Sequence, residues 1–381
     1  MFKHSTNNAD GFDLRCQQGR RGGQLKSAIA RFCLATWVAS LMLAITHTSS
    51  AQVFGYITNN MDRTVSAIDT TTNPVVATID TGIPYPFGVA CHPNGKTVYI
   101  SGTGIAFAGT VFLIDVTTQA IADTVAVGEY PIGLAVLPDG SAVYVANSGD
   151  DTVSVIDTGT FSVVDTIAVG AGPNGVVAHP DGSEVYVSNL LGPSVSVIDV
   201  VTGTVTHTIP VVSQPQGIVI DPDGDFVYVA NHLVDSVSVI DTATKTVVDT
   251  IIVGGVAADF PTALAMHPGG GTLYVSLNKI STSVPISEVA VVDTATRSQT
   301  LLIGGLWSAF GLSVHPVGDR LYVADTDAES VAVVDTGTNT VVDNVSVGYF
   351  PVAFGDFFTP TKIFADGFET GDTSRWTAQA P

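Results

Sequence analysis

"YVANSGDDTVSVIDTGT", Tyr144 to Thr160, holds two runs of strand-forming residues on either side of a short polar turn. Val, Ile, Tyr and Thr dominate both runs, and Asn, Ser, Gly and Asp bound them, which is the pattern of two paired strands. Nearly the same words return as "YVSNLLGPSVSVIDV" from Tyr186 and "YVANHLVDSVSVIDT" from Tyr228. A chain that repeats itself at a fixed period builds one supersecondary unit several times over.

The aspartate that ends each such run marks the period. It stands at Asp69, Asp115, Asp157, Asp199, Asp241, Asp293 and Asp335, with steps of 46, 42, 42, 42, 52 and 42 residues, so the chain holds seven copies. Tyr56, Tyr99, Tyr144, Tyr186, Tyr228, Tyr274 and Tyr322 keep the same register. Within one unit four runs follow each other, "NGVVAHP", "EVYVSN", "SVSVIDV" and "VTHTIPV", with an Asp-Gly turn after the first. No stretch after the first fifty residues shows a helical period of apolar residues. Four short strands in about 42 residues is the signature of a propeller blade. The reading is therefore an all-β, seven-bladed propeller with four antiparallel strands per blade.

The chain enters this pattern at "GYITNN", a second strand with no inner strand before it. The missing strand is expected from "PVAFGDFF", Pro351 to Phe358, so that both termini build blade one and no open sheet edge remains. The inner strands carry Gly88, Gly133, Gly175, Gly217, Ala263, Gly311 and Ala353 at one position, small residues suited to an axis where backbones approach.

"YITNN", "YVANS", "YVSNL" and "YVANH", the "TVSVIDT" runs and the "HPDG" turns resemble the YVTN-type β-propeller repeat proteins, from Phe54 to about Pro360. That resemblance implies the fold and leaves the function open, because propellers host unrelated activities.

Outside the repeat, residues 1–51 carry Arg15, Arg20, Arg21, Lys26 and Arg31, then the apolar run Phe32 to Ile45 and small residues at Ser49 and Ala51. This reads as a signal peptide cleaved after Ala51, hence export to the periplasm or the cell surface, with residues 52–360 as the propeller and no membrane span in the mature chain. Residues 361–381 form an acidic tail with a "FADGFE" motif similar to one on exported bacterial proteins. The whole chain carries a net charge of −21, and losing the first 51 residues, with six Lys/Arg and two Asp/Glu, leaves −25. Nucleic acid is excluded as a partner by that charge. Cys16 and Cys33 leave with the signal, so Cys91 stands alone and no internal disulfide forms.

The repeat's polar residues read as structural. The seven aspartates sit where a side chain caps its own turn. His92, His179, His267 and His315 each precede a proline, in a slot that holds Leu137, Asp221 and Thr359 in the other blades, so they fall on separate blades and no metal site is assigned. Asp150, Asp151, Asp235, Asp327 and Glu329 read as a solvated rim. No phosphate cradle, haem-attachment motif or nucleophile elbow occurs, and no cofactor is assigned.

Function is expected on the face where loops between second and third strands join the loops between blades. Five blade junctions there carry aromatics: Tyr85 and Phe87, Tyr130, Phe260, Trp307 and Phe310, and Tyr349 with Phe350; Phe107 joins them from a loop of blade two. Aromatics on loops of a rigid scaffold are anchors for a protein, peptide or glycan partner, though they could also plug the mouth of the axis. The chain therefore reads as a non-catalytic binding module. An alternative is a lactonase-like hydrolase, since "HPNGKTVYIS" and "HPVGDRLYVAD" are similar to the phrasing of phosphogluconolactonase-like propellers.

Overall fold

The computed structural model describes residues 52–255, 259–279, 287–353 and 355–360. The expected signal segment and the acidic tail lie outside these residues. Among them 27 strands form seven antiparallel sheets, six of four strands and one of three. No described helix is long and apolar enough to cross a membrane.

Blade three shows how the sequence makes a blade. Pro131–Val136, Ala142–Asn147, Thr152–Asp157 and Ser162–Ala168 pair in chain order. The turn between the first two uses Gly140 at φ +78°, a backbone angle that favours glycine. Ala142–Asn147 and Thr152–Asp157 are buried on both faces because neighbouring blades cover each side of the sheet. The outer strand Ser162–Ala168 touches no partner on its far edge, and most of its residues are exposed.

The three-stranded sheet, Phe54–Asn59, Thr64–Asp69 and Val75–Asp80, is blade one. Its fourth strand is the end of the described chain. Tyr56 N–H donates to Phe357 O at 2.9 Å and Val352 N–H to Thr58 O at 3.0 Å, with bridges Asn59–Pro351 and Gly55–Phe358. The pairing is two isolated bridges rather than a continuous ladder, and between them Gly355 takes φ +103°. Phe357 and Phe358 hold it in place: both are buried, and the Phe358 ring meets Tyr322 of blade seven edge to face at 4.9 Å. Burying two phenylalanines is worth roughly 4–6 kcal/mol.

Near the axis the blades touch through backbone. A Cβ added to Gly88 would lie 2.1 Å from Ile132 O of the next blade, one on Gly133 2.4 Å from Asn174 O, and one on Gly311 2.0 Å from Ala353 O. A hydroxyl bridges four of the junctions. Ser101 Oγ accepts from Gly88 N–H at 2.9 Å and donates to Ile132 O; Ser188, Ser276 and Thr58 do the same for blades four, six and one. The corresponding residues Ala146, Ala230 and Ala324 carry no hydroxyl for this bridge, and the last two of those junctions are tied instead by His232 Nδ1 to Pro261 O at 3.2 Å and Thr326 Oγ1 to Pro351 O at 2.8 Å.

Deleting the chain from Pro351 onward is expected to lower the melting temperature by on the order of 10 °C or to cause aggregation, because two sheet edges and the Phe357–Phe358 contacts are lost. Ending the chain after Pro360 is expected to leave it unchanged. Thermal melts followed by circular dichroism check both.

Candidate functional site

Two surfaces lie at opposite ends of the inner strands. At the start of those strands is the loop face. The residue before each strand must aim its carbonyl at the end of the second strand: Thr103 N–H donates to Tyr85 O, Ser148 to Tyr130 O, Leu190 to Gly172 O, His232 to Gln214 O and Asn60 to Phe350 O, at 2.8–3.2 Å. At these five positions the backbone is left-handed, with φ of 64° at Tyr85, 54° at Tyr130, 62° at Gly172, 35° at Gln214 and 59° at Phe350, whereas Ser308 of blade seven accepts from Thr326 N–H at 2.9 Å without that conformation. Glycine adopts that conformation freely, whereas other residues bear about 1–2 kcal/mol. Three of the five positions carry an aromatic despite that cost.

The nine aromatics divide into two layers. Tyr85, Phe107, Tyr130, Trp307 and Tyr349 are 37–57% exposed, while Phe87, Phe260, Phe310 and Phe350 are half-buried beneath them. Phe107 lies against Tyr130 at 5.4 Å between ring centres, and Tyr349 against Phe350 at 6.4 Å. Carboxylates fix the backbone that presents them. Asp325, whose pKa burial raises, accepts from Trp307 N–H at 3.0 Å and Ser308 N–H at 2.8 Å, and Asp62 accepts from Tyr349 N–H. Asp150 and Asp151 of the rim likewise accept from Glu129 and Gly172 N–H.

Sequence reading missed the aliphatic half of this face. Met61, Ile105, Leu191, Leu233 and Val234 are exposed on the loops of blades one, two, four and five. Leu191 covers Gly172, so close that a Cβ there would lie 2.7 Å from it. The apolar surface therefore extends past the aromatic junctions into blades four and five, where the junctions themselves are polar. The signal was present as lone aliphatics in otherwise polar loops, "NLLGP" and "NHLVD".

At the other end the axis opens into a channel of about 710 Å³. Its mouth is a ring of seven prolines, one per blade: Pro93, Pro138, Pro180, Pro222, Pro268, Pro316 and Pro360. Its lining reaches no further toward the loop face than the layer of Gly133, Gly175, Gly217 and Ala263, where the strands crowd together. The wall is mostly apolar, with Asp221, Asp356 and His267 as its ionisable oxygen and nitrogen groups and Cys91 its thiol; among the described residues no Lys or Arg lines it. Protein surrounds Asp356 although its side chain is reached from the channel, and burial raises its pKa, as it does that of Asp221.

The proline-slot histidines do not converge. Each reaches the next blade: Nε2 of His92, His179 and His267 meets the carbonyls of Gly140, Gly224 and Gly318 at 3.0–3.1 Å, and Nε2 of His315 meets Thr70 Oγ1 at 3.2 Å. In His92 and His267, Nδ1 accepts from the N–H two residues on, at 3.0 Å, which sets the neutral tautomer with the proton on Nε2. Burial lowers the pKa of His92 and His315. The turn aspartates close their own turns: Oδ1 of Asp157, Asp199, Asp241 and Asp293 accepts from the N–H and hydroxyl of the threonine three residues on at 2.7–2.8 Å, Asp115 and Asp335 accept likewise from Thr118 and Thr338, and Asp69 accepts from Thr71 N–H. Those hydrogen bonds lower the pKa of Asp115, Asp157, Asp199, Asp241, Asp293 and Asp335. Among the described residues no group of three or more His, Cys, Asp or Glu could hold a metal ion.

Comparison places this geometry among known proteins. The sequence model of the cytochrome D1 heme domain matches residues 49–349. The structure is similar to hydrazine synthase of Kuenenia stuttgartiensis at 23% identity and TM-score 0.62, covering 70% of this chain and 88% of that one. A 6-phosphogluconolactonase candidate from Bacteroides fragilis matches at 16% identity and TM-score 0.68, over 81% and 99% of the two chains. Dihydro-heme d1 dehydrogenase matches at 15% and TM-score 0.59, over 78% and 74%. At these identities the structural matches show the fold alone. A search of curated proteins returns no match.

A histidine whose folded pKa is lowered stabilises the fold above its unfolded value, near 6.5, and loses that contribution as the pH falls through the folded value. The raised carboxylates Asp221, Asp325 and Asp356 act in the opposite sense, so the test is a difference. The variant with His92→Gln and His315→Gln, whose amides still donate to the next blade, is expected to lose less melting temperature than the native chain between about pH 7.5 and 5.5. Equal losses would mean that these two histidines do not titrate in that range.

Proposed function

The chain belongs to the cytochrome D1 heme domain family, and from that premise we propose that it is an exported, non-catalytic binding module whose loop face docks a protein, peptide or glycan. The observation that carries the reading is five exposed aromatics on one end of a rigid ring, two of them, Tyr85 and Tyr130, kept at left-handed positions where glycine serves elsewhere in the same ring. Backbone strain retained at exposed side chains motivates a functional reading. Exposed aliphatics beside the aromatics favour a protein or peptide with apolar anchors over a sugar, and exposed apolar patches of this kind mark interaction surfaces. The YVTN-type repeat reading agrees with this role.

The family's name implies a heme, and the residues described do not fit one. An iron tetrapyrrole with acidic substituents needs an axial ligand for the metal, an imidazole, thiolate, thioether or phenolate, and cations for its carboxylates. In the channel both nitrogens of His267 are engaged, by Gly318 O and Gly269 N–H, burial disfavours the thiolate of Cys91, and the charged groups are carboxylates. On the loop face His232 shares Nδ1 with Pro261 O and lies against Phe260 at 5.2 Å, but the nearby Lys279 is held between Asp259 and Glu288. No step of any reaction is assigned through such a group. The lactonase-like alternative rests on the fold; a phosphorylated substrate would meet acidic groups in the channel rather than cations.

Capture of a partner from the producing cell's envelope or medium, by immobilised protein, tests the reading. Trp307→Ala with Tyr349→Ala is expected to abolish capture while the melting temperature changes little. Tyr130→Gly is expected to weaken capture and to hold or raise stability, since relief of about 1 kcal/mol of strain offsets the lost contacts. Unfolding of these variants would make the aromatics a plug, and turnover of a lactone by the native chain would replace binding with hydrolysis.

A further inference from the structure

We propose that the proline-ringed channel is a second binding site, and that it takes an organic cation with an apolar body, such as an alkylammonium, whose charged head pairs with Asp356. This site is separate from the loop face, and the crowded glycine layer stands between the two.

The cavity has the size of a small-molecule site, about 710 Å³. Its wall is built from the free edges of the inner strands. In blade two His92 N–H donates to Thr97 O and Ala90 pairs with Tyr99, so the intervening Cys91 turns its N–H and C=O away from the second strand and toward the axis. The register repeats at Val136 and Ile220, whose following residues Leu137 and Asp221 likewise donate to the second strand. Such a wall presents donors and acceptors in equal number and selects no charge.

The side chains select it. Asp356 reaches the channel from the closing strand, and only its Oδ1 is engaged, by Ser313 Oγ at 3.2 Å and more weakly by Phe358 N–H at 3.4 Å. Among the described residues Oδ2 makes no hydrogen bond, and no Lys or Arg lines the cavity to neutralise it. A carboxylate open to the channel beside an apolar wall and without a countercharge attracts a cation that enters. Asp221 stands on blade five, well round the ring from blade one, and adds negative potential. Two carboxylates on separate blades do not assemble the six to eight converging oxygens that calcium takes. They do suit an ammonium head over an apolar wall, whose protons also find the edge carbonyls. The proline mouth is preformed, because each ring locks φ.

The test uses the full chain, with octylammonium as probe and 1-octanol and octanoate as neutral and anionic controls of equal chain length. Cys91 lines the channel and serves as reporter. The ammonium is expected to slow alkylation of Cys91, read on its own peptide by mass spectrometry, while the controls do not. Calorimetry is expected to show one site, weakened at least roughly tenfold in Asp356→Asn, and unchanged in the variant lacking Trp307 and Tyr349. Diffuse attraction to the acidic surface would vanish at about 0.5 M salt; binding that vanishes with it, equal protection by octanol, or full affinity in Asp356→Asn would overturn the proposal. Should Asp356→Asn fail to fold, protection of Cys91 in the native chain decides by itself.

Discussion

At Gly88, Gly133, Gly175, Gly217 and Gly311 the adjacent inner strands leave no room for a side chain. Where Gly88 faces Ile132 O, Gly133 faces Asn174 O and Gly311 faces Ala353 O, a single added carbon would sit inside the neighbour's carbonyl. Packing this close lets Ser101, Ser188, Ser276 and Thr58 bridge one strand's N–H to the next blade's C=O, so that four junctions are joined by a hydroxyl as well as by contact. The channel ringed by the prolines reaches no further toward the strand starts than this layer.

The two ends consequently acquire different chemistry from one repeat. At the loop face the backbone before the inner strand is left-handed in five blades, and the residue at that turn varies. It is Tyr, Tyr, Gly, Gln and Phe around the ring. At the channel end the repeat places a proline in every blade and, in four of seven, a histidine that grips the next blade. Variation there is confined to the slot before the proline and to the closing strand, which is why Asp221 and Asp356 are the two carboxylates that line the channel. The family's name and the groups in these two places diverge, as expected where one fold carries many chemistries.

Much of this was legible in the residues. The tyrosine and aspartate registers set the number of blades, the missing inner strand before "GYITNN" pointed to Pro351–Phe358, and the aromatic junctions were visible one by one. The histidines' separation onto different blades was legible too, but not that they bridge blades, since the acceptor carbonyls lie 45–51 residues away. Leu191 and Leu233 were passed over because a lone aliphatic in a polar loop has no periodicity to mark it. Asp356 was hidden inside the closing strand, where alternation assigns a face but not what that face borders.

The sequence by itself determined the architecture, because each blade is specified by local signals, alternating β-branched residues and Asp-Gly or Asp-Thr turns, that need no distant partner to be read. Only the tertiary structure decided which residues share a surface. A ring brings together positions some 42 residues apart, and whether they meet depends on how closely the inner strands approach the axis. That distance is set by the backbone contacts of seven glycines and alanines acting together, a collective property that no single blade's sequence carries.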